Sequence, residues 1–213
     1  MDYFKVAHTQ RAIRRFKPDP VPEDILWRML DTAIRAPSGS NTQPWAWLVV
    51  RDSAKKKAIG DAIRRHRLDK NPLAEEQDPG KFAEKQANVR MLAGASDFYQ
   101  SVATAPVLVI PCLTRSSTPD YDIRSLLAGA SIYGAVQNLM LAGRALGVGS
   151  VMTTFNRFAD ESLRRELHLP DEVVPACLIP IGYPEGQRFG PTTRNPVESV
   201  THWDGWEQTL PRP

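Results

Sequence analysis

The chain has 213 residues, 42% hydrophobic and 24% charged, which fits one globular domain over 1–213 with a sizeable core. Its net charge of +3 is too small to argue for nucleic acid, and no apolar run reaches the roughly 18 residues a membrane span needs. The opening MDYFKVAHTQR has an early acid and no apolar stretch, unlike a secretory leader. The only two cysteines, Cys112 and Cys177, lie in apolar runs and read as unpaired core residues of a reducing, cytoplasmic protein.

In chain order, Asp2 to about Gln10 reads as a short helix, followed by a basic, proline-bounded connection from Arg11 to Pro20. The stretch PVPEDILWRMLDTAIRA carries Ile25, Leu26, Met29, Leu30, Ala33 and Ile34 at helical spacing, with proline and acids at its start. Pro37, Ser38 and Gly39 end that helix, WAWLVV reads as a strand, and Ser53 to Arg65 as a second helix. The segment from about 66 to 96 turns polar, with proline and glycine breaks. It is expected to form a lid over a site, with one helix over Lys81 to Leu92.

APVLVIPCL reads as a buried strand in which Pro111 calls for an edge position or a bulge. YDIRSLLAGASIYGAVQNLMLAGRALG is apolar all round and is expected to be a central helix, ended by Gly147 and Gly149. GSVMTTF follows as a strand, DESLRREL as a helix and VVPACLIPIGYP as a last core strand. The tail from Glu185 has four prolines, two tryptophans and few core-type runs, so it is expected to wrap its own domain or a partner.

Several chemistries find no support. There is no glycine-rich turn after a first strand, no phosphate loop, no His-Glu-x-x-His and no Cys/His ligand cluster, so no metal is expected. The four histidines have no evident nucleophile partner, and His168 reads as the end of a helix. Lys55 to Lys57 and Arg64 to Arg67 read as solvated helix faces.

Three separated segments carry the remaining chemistry. QRAIRRF sets Arg11 and Arg14 three apart, on one side of a turn, where two planar guanidiniums suit a phosphate. PSGSNTQPW offers hydroxyls, amides and backbone N–H groups beside a tryptophan, and Arg194 lies in the proline-bounded tail. Together with LMLAGRALGVGSVMTTF and the ending IGYP…RNPVESV, these segments resemble the nitroreductase-like family of flavin oxidoreductases.

The resemblance implies an α+β, three-layer fold: a central, mainly antiparallel sheet flanked by helices, and a C-terminal tail wrapping the partner subunit. It implies a homodimer with FMN at the interface. Arg11 and Arg14 would grip FMN, with Ala12 and Ile13 lining it. Ser38, Gly39 and Ser40, followed by Asn41 and Gln43, would reach over the flavin from the partner. Met152, Thr153 and Thr154 would lie near the reactive nitrogen, Arg194 would hold phosphate, and Ser131 would face the partner's flavin.

Many relatives place serine where this chain has Ala12, a lost hydrogen bond worth about 0.5–1.5 kcal/mol. Flavin-destroying relatives carry an aspartate there, and dehalogenating relatives a Glu/Tyr/Lys set in the lid. Ala12 and the lack of tyrosine between Arg64 and Phe98 set this chain apart from both.

The implied activity is ping-pong electron transfer from NADH or NADPH through FMN to a small planar acceptor: a nitroaromatic, quinone or enone. The flavin carries the chemistry, with Thr153 and Thr154 tuning it. The basic cluster Arg64 to Arg67 reads first as a solvated face and second as a group that favours a phosphorylated nicotinamide. A flavin-binding sensor or carrier without turnover is the rival reading.

Overall fold

The computed structural model describes residues 2–70, 98, 102–114, 126–186 and 188–210. Helix α1 (Tyr3–Thr9) begins where the Asp2 carboxylate accepts from the Lys5 N–H. Helix α2 (Glu23–Ala33) starts after Pro22 with Glu23 and Asp24 in its first turn, where carboxylates offset the helix dipole. It ends at Ala33. Pro37 disfavours helical geometry at Ala36, and the Arg35 and Ala36 N–H groups close tighter turns onto Thr32 and Ala33.

Strand β1 (Trp45–Val50) leads to α3 (Ser53–Lys70), five residues longer than the sequence indicates. The remainder of the expected lid, including its helix over Lys81 to Leu92, lies outside the described residues. Strand β2 (Val107–Leu113), the 20-residue helix α4 (Leu126–Ala145), strand β3 (Gly149–Ser150), helix α5 (Asp160–Leu167) and strands β4 (Val174–Pro175) and β5 (Ile179–Gly182) complete the body.

The sheet has the order β1-β2-β5-β3, with β4 also on β2, and every strand pair is antiparallel. Strand β2 is buried on both faces, and its alternation builds two cores. Val107, Val109 and Leu113 meet Leu26 and Met29 of α2 and Ile132, Val136 and Leu139 of α4. Leu108, Ile110 and Cys112 meet Ile59 and Ile63 of α3 and Leu163 of α5. Helices therefore cover both faces of a central antiparallel sheet, the expected three-layer α+β arrangement.

Pro111 is not on an edge strand. It lies opposite Trp47, where the far-side partner of β2 changes from β5 to β4. Between the Val109–Ile179 and Cys112–Pro175 pairs, β2 has two residues and its partner three. The partner therefore bulges by one residue, and the missing Pro111 N–H falls in that break.

GSVMTTF is a strand only over Gly149–Ser150. Thr153 retains one bridge to Leu178, and Phe155–Phe158 turn into a 3-10 helix. Helix α4 closes with Gly147 at φ +79° and the Val148 N–H donating to the Gly143 carbonyl. His168 ends α5 in the same left-handed conformation, at φ 54°, without glycine's freedom.

Cys112 and Cys177 are free and buried, in the cores on opposite faces of the sheet. Burial pushes each thiol up to about 12. The lysine cluster is not wholly a solvated face: Lys56 Nζ donates to the Ala105 and Pro106 carbonyls at 2.8 and 3.0 Å. Burial lowers its pKa, opposed by Asp52. Lys57 and Arg64 both pair with Asp61, as exposed helix residues do.

Candidate functional site

The segment from Arg11 to Lys17 is extended, not turned as the sequence reading had it. Ala12 bridges Ser150 in parallel and Phe16 bridges Pro184, with the Ile13 N–H donating to the Ser150 carbonyl at 3.1 Å. It thus runs along the outer side of β3. Ile13 is fully buried, and a Cβ on Gly149 would lie 2.8 Å from its Cγ2, so glycine permits this close approach. Arg11 is exposed, while Ala12 and Arg14 are half-buried. The sequence therefore joins Arg11, Ala12, Ile13 and Arg14 to the stretch beginning at Ser150.

Beyond Ser150, alternate residues point in and out. Met152 and Thr154 are exposed, whereas Thr153 is buried and its hydroxyl donates to the Leu178 carbonyl at 3.0 Å. The Thr153 hydroxyl is thus committed to holding the turn, and the outward hydroxyl belongs to Thr154.

The loop between α2 and β1 is cross-linked by its own side chains. Ser38 Oγ accepts from the Gln43 N–H at 3.0 Å, and the Gly39 carbonyl accepts from both the N–H and the hydroxyl of Thr42. Ser40, Asn41 and Gln43 all have positive φ, at 49°, 53° and 48°. Three such non-glycine residues in four positions are strained, and strain of this kind concentrates at binding sites. Their side chains are exposed.

Ser131 fixes this loop to α4. It is 5% exposed, and its Oγ accepts from the Gly39 N–H at 3.1 Å. The family resemblance implies that Ser131 faces the partner's flavin and gives no hint of this contact, which joins residues 92 positions apart. At the other end of α4, Arg144 Nε donates to Thr9 Oγ1 at 2.9 Å, and its guanidinium lies 4.3 Å from the centre of the Phe189 ring. The Gly190 N–H donates to the Thr9 carbonyl, so the root of the tail is clamped beside α1.

Arg194 is exposed, and its guanidinium donates to the Thr193 carbonyl beside it. Among the described residues its hydrogen bond is thus to its own neighbour.

Two further features escape sequence reading. A groove of about 640 Å³ between α2 and β1 is lined by Trp27, Leu30, Ile34, Trp47 and Val49. Trp47 Nε1 is buried there without a hydrogen-bond partner. A second cavity lies between α3 and the start of α5, and neither is marked by a local motif.

Among the described residues no group of three or more His, Cys, Asp or Glu side chains is placed to hold a metal ion. Among them, too, no helix is long and apolar enough to cross a membrane.

This arrangement is an α+β fold with cationic and outward polar groups bordering one antiparallel sheet between helical layers. The Nitroreductase family profile matches residues 7–183, and the chain belongs to that family. It is 30% identical over 216 residues to an NADH dehydrogenase of Thermus thermophilus, covering 95% of this chain and 96% of that protein. Over 188 residues it is 30% identical to a putative NADH dehydrogenase/NAD(P)H nitroreductase of Methanothermobacter thermautotrophicus, covering 86% and 78%. Its fold matches the crystal structure of the FMN and NADPH-dependent nitroreductase NfnB from Sphigopyxis sp. strain HMH. That match has a TM-score of 0.74 at 22% identity, over 97% of this chain and 100% of that one.

Proposed function

We propose that this chain is a cytoplasmic, FMN-dependent oxidoreductase. It passes electrons from NADH or NADPH to a small planar acceptor such as a nitroaromatic, quinone or enone by a ping-pong mechanism. It works as a homodimer with FMN at the interface.

The observation that carries this reading is the placement of two binding segments at opposite ends of α4. Ser131 holds the Ser38–Gln43 loop, and Arg144 holds the end of α1, next to Arg11. The two anchors are thirteen residues apart, about 20 Å along the helix axis. That separation supports a flavin site whose two halves come from different copies of the chain.

The donor set fits FMN. Arg11, Arg14 and the partner's tail arginine suit a phosphate, and planar guanidiniums grip such oxygens in pairs. The hydroxyls and amides of Ser38, Ser40, Asn41 and Gln43 suit a flat ring with polar edges in a cleft where an unpaired polar group is costly. When bound, FMN supplies hydride acceptance and electron transfer.

The chain's residues position and tune it. Arginine charge beside the pyrimidine edge favours developing negative charge there. Thr154 presents a hydroxyl toward the reactive nitrogen, and Thr153 holds the turn that aims it. Met152, half exposed, would line the flavin and help exclude water. Ala12 and Ile13 contribute backbone beside the ring, since the Ile13 side chain is spent in the core.

The tail wraps the partner subunit. Val197, Val200, Trp203 and Trp206 are exposed, the last at 81%, a costly array for an isolated chain. The free edge of β1 and the apolar groove beside it offer matching cover, and a tail carbonyl there would satisfy Trp47 Nε1.

The test is anaerobic mixing of the purified, FMN-loaded protein with NADH and with NADPH in a stopped-flow spectrophotometer. Fast bleaching of the flavin band is expected. A colour that persists with both nucleotides would leave a flavin-binding sensor or carrier.

A further inference from the structure

The geometry points to a phosphate-monoester site between α3 and the start of α5, which takes the 2′-phosphate of NADPH. This assignment rests on the nicotinamide-reduced flavoenzyme reading above and names its preferred reductant.

The cavity there is about 460 Å³, and three elements bring guanidiniums to it: Arg65 from α3, Arg157 from the 3-10 turn and Arg165 from α5. The wall is fixed by His66, which stacks on Phe158 with ring centres 4.5 Å apart and planes at 18°. The first turn of the eight-residue helix α5 forms another side, and Ala159 at its N-cap supplies no side-chain cap. Uncapped N–H groups at a helix start attract anions. Ser162 in that turn lines the cavity, is 3% exposed, and its Oγ has no hydrogen-bond partner among the described residues.

The opposing charges are Asp160 and Glu161. Arg164 already engages Asp160 at 3.0 Å, and Glu166 engages Arg165 at 2.8 Å. Arg65 and Arg157 have no ion pair among the described residues. Among the described residues, two guanidiniums without an ion pair therefore face one exposed carboxylate. A monoester carries close to two negative charges at neutral pH and offers three acceptor oxygens.

The chain links this cavity to the proposed reaction site through one short turn. The Arg157 N–H donates to the Thr154 carbonyl at 3.1 Å, one turn beyond the outward hydroxyl. A nicotinamide bound near Thr154 would therefore have Arg157 within three residues of it along the chain. NADH lacks the group these arginines would hold.

The experiment compares kcat/KM for NADPH and NADH, with one quinone acceptor, in the FMN-loaded wild type and in Arg65→Ala and Arg157→Ala. Loss of a charge-assisted hydrogen bond is worth about tenfold or more. The wild type should prefer NADPH at least tenfold, and each variant should cut the NADPH-to-NADH ratio at least tenfold. In parallel, 2′,5′-ADP, 5′-ADP and inorganic phosphate are tested for binding by calorimetry. The site predicts tight binding of 2′,5′-ADP that weakens in both variants, with 5′-ADP weak throughout.

An unchanged nucleotide ratio in both variants overturns the assignment. So does binding of inorganic phosphate without tighter binding of 2′,5′-ADP, which would make this a site for a free anion. Failure of the flavoenzyme reading is distinct: it gives a protein that is colourless, or whose flavin neither nucleotide bleaches, whatever 2′,5′-ADP binding shows at these arginines.

Discussion

Replacing Ser131 with alanine tests how the Ser38–Gln43 loop is held. The substitution removes the acceptor of the Gly39 N–H, which reaches Ser131 Oγ at 3.1 Å from a part-buried position. An orphaned buried donor costs about 1–3 kcal/mol, and the loop's exposure to water lowers the figure to roughly 1 kcal/mol. That amount matters here because the loop holds left-handed residues at Ser40, Asn41 and Gln43, each strained by about 1–2 kcal/mol. With its anchor gone, the loop relaxes toward less strained conformers, and FMN must reorder it on binding. One kilocalorie is about a fivefold change in affinity.

FMN titration followed by quenching of flavin fluorescence should therefore show Ser131→Ala binding about fivefold more weakly, with exchange of the Gly39 amide accelerated to match. Urea unfolding should shift only slightly, since the core around Ile132 and Leu139 is untouched. An unchanged FMN affinity together with unchanged Gly39 protection would refute the anchoring argument.

Three further outcomes are expected. With both thiols pushed up to about 12 by burial, the thiolate fraction at pH 8 is about one in ten thousand, so DTNB should label neither cysteine in the folded protein and both after denaturation. Asp61 has a lowered pKa, first through its hydrogen bond from Lys57 and further through Arg64. Its stabilisation is present above the ordinary aspartate value of about 3.9 and lost as pH falls through the lower folded value, so Asp61→Asn should flatten the acid limb of a stability–pH curve and change little at pH 7 beyond a surface pair's ~0.5 kcal/mol. His168→Gly should stabilise the protein by about 0.5–1 kcal/mol in urea, because glycine relieves the left-handed C-cap at a smaller entropic cost.

Much of the fold was legible because local patterns agree with tertiary packing. The spacing of Leu26, Met29 and Ala33 marks the buried face of α2, and the unbroken apolar run of β2 reflects cores on both sides. The segments of the candidate site were legible as chemistry, since arginine pairs and Ser-Gly-Ser carry it in their side chains.

What stayed hidden depends on contacts between distant residues. Thr153 and Thr154 look alike in sequence, and only the bridge to Leu178 sends one hydroxyl inward. Pro111 signals a break in pairing but not that the partner strand absorbs it. Arg65 and Arg157 share a cavity only because α3 packs beside the turn before α5.

The central claim is that one flavin site takes Arg11 and Arg14 from one subunit and its serine loop from the other. Complementation tests it most directly. Arg11→Ala/Arg14→Ala chains are mixed with Ser38→Ala/Ser40→Ala chains, heterodimers are isolated with distinct tags, and bound FMN is counted. The account predicts that each variant homodimer binds poorly while the heterodimer regains one tight site, built from wild-type arginines of one chain and the wild-type loop of the other. Heterodimers that bind FMN no better than either homodimer would contradict it.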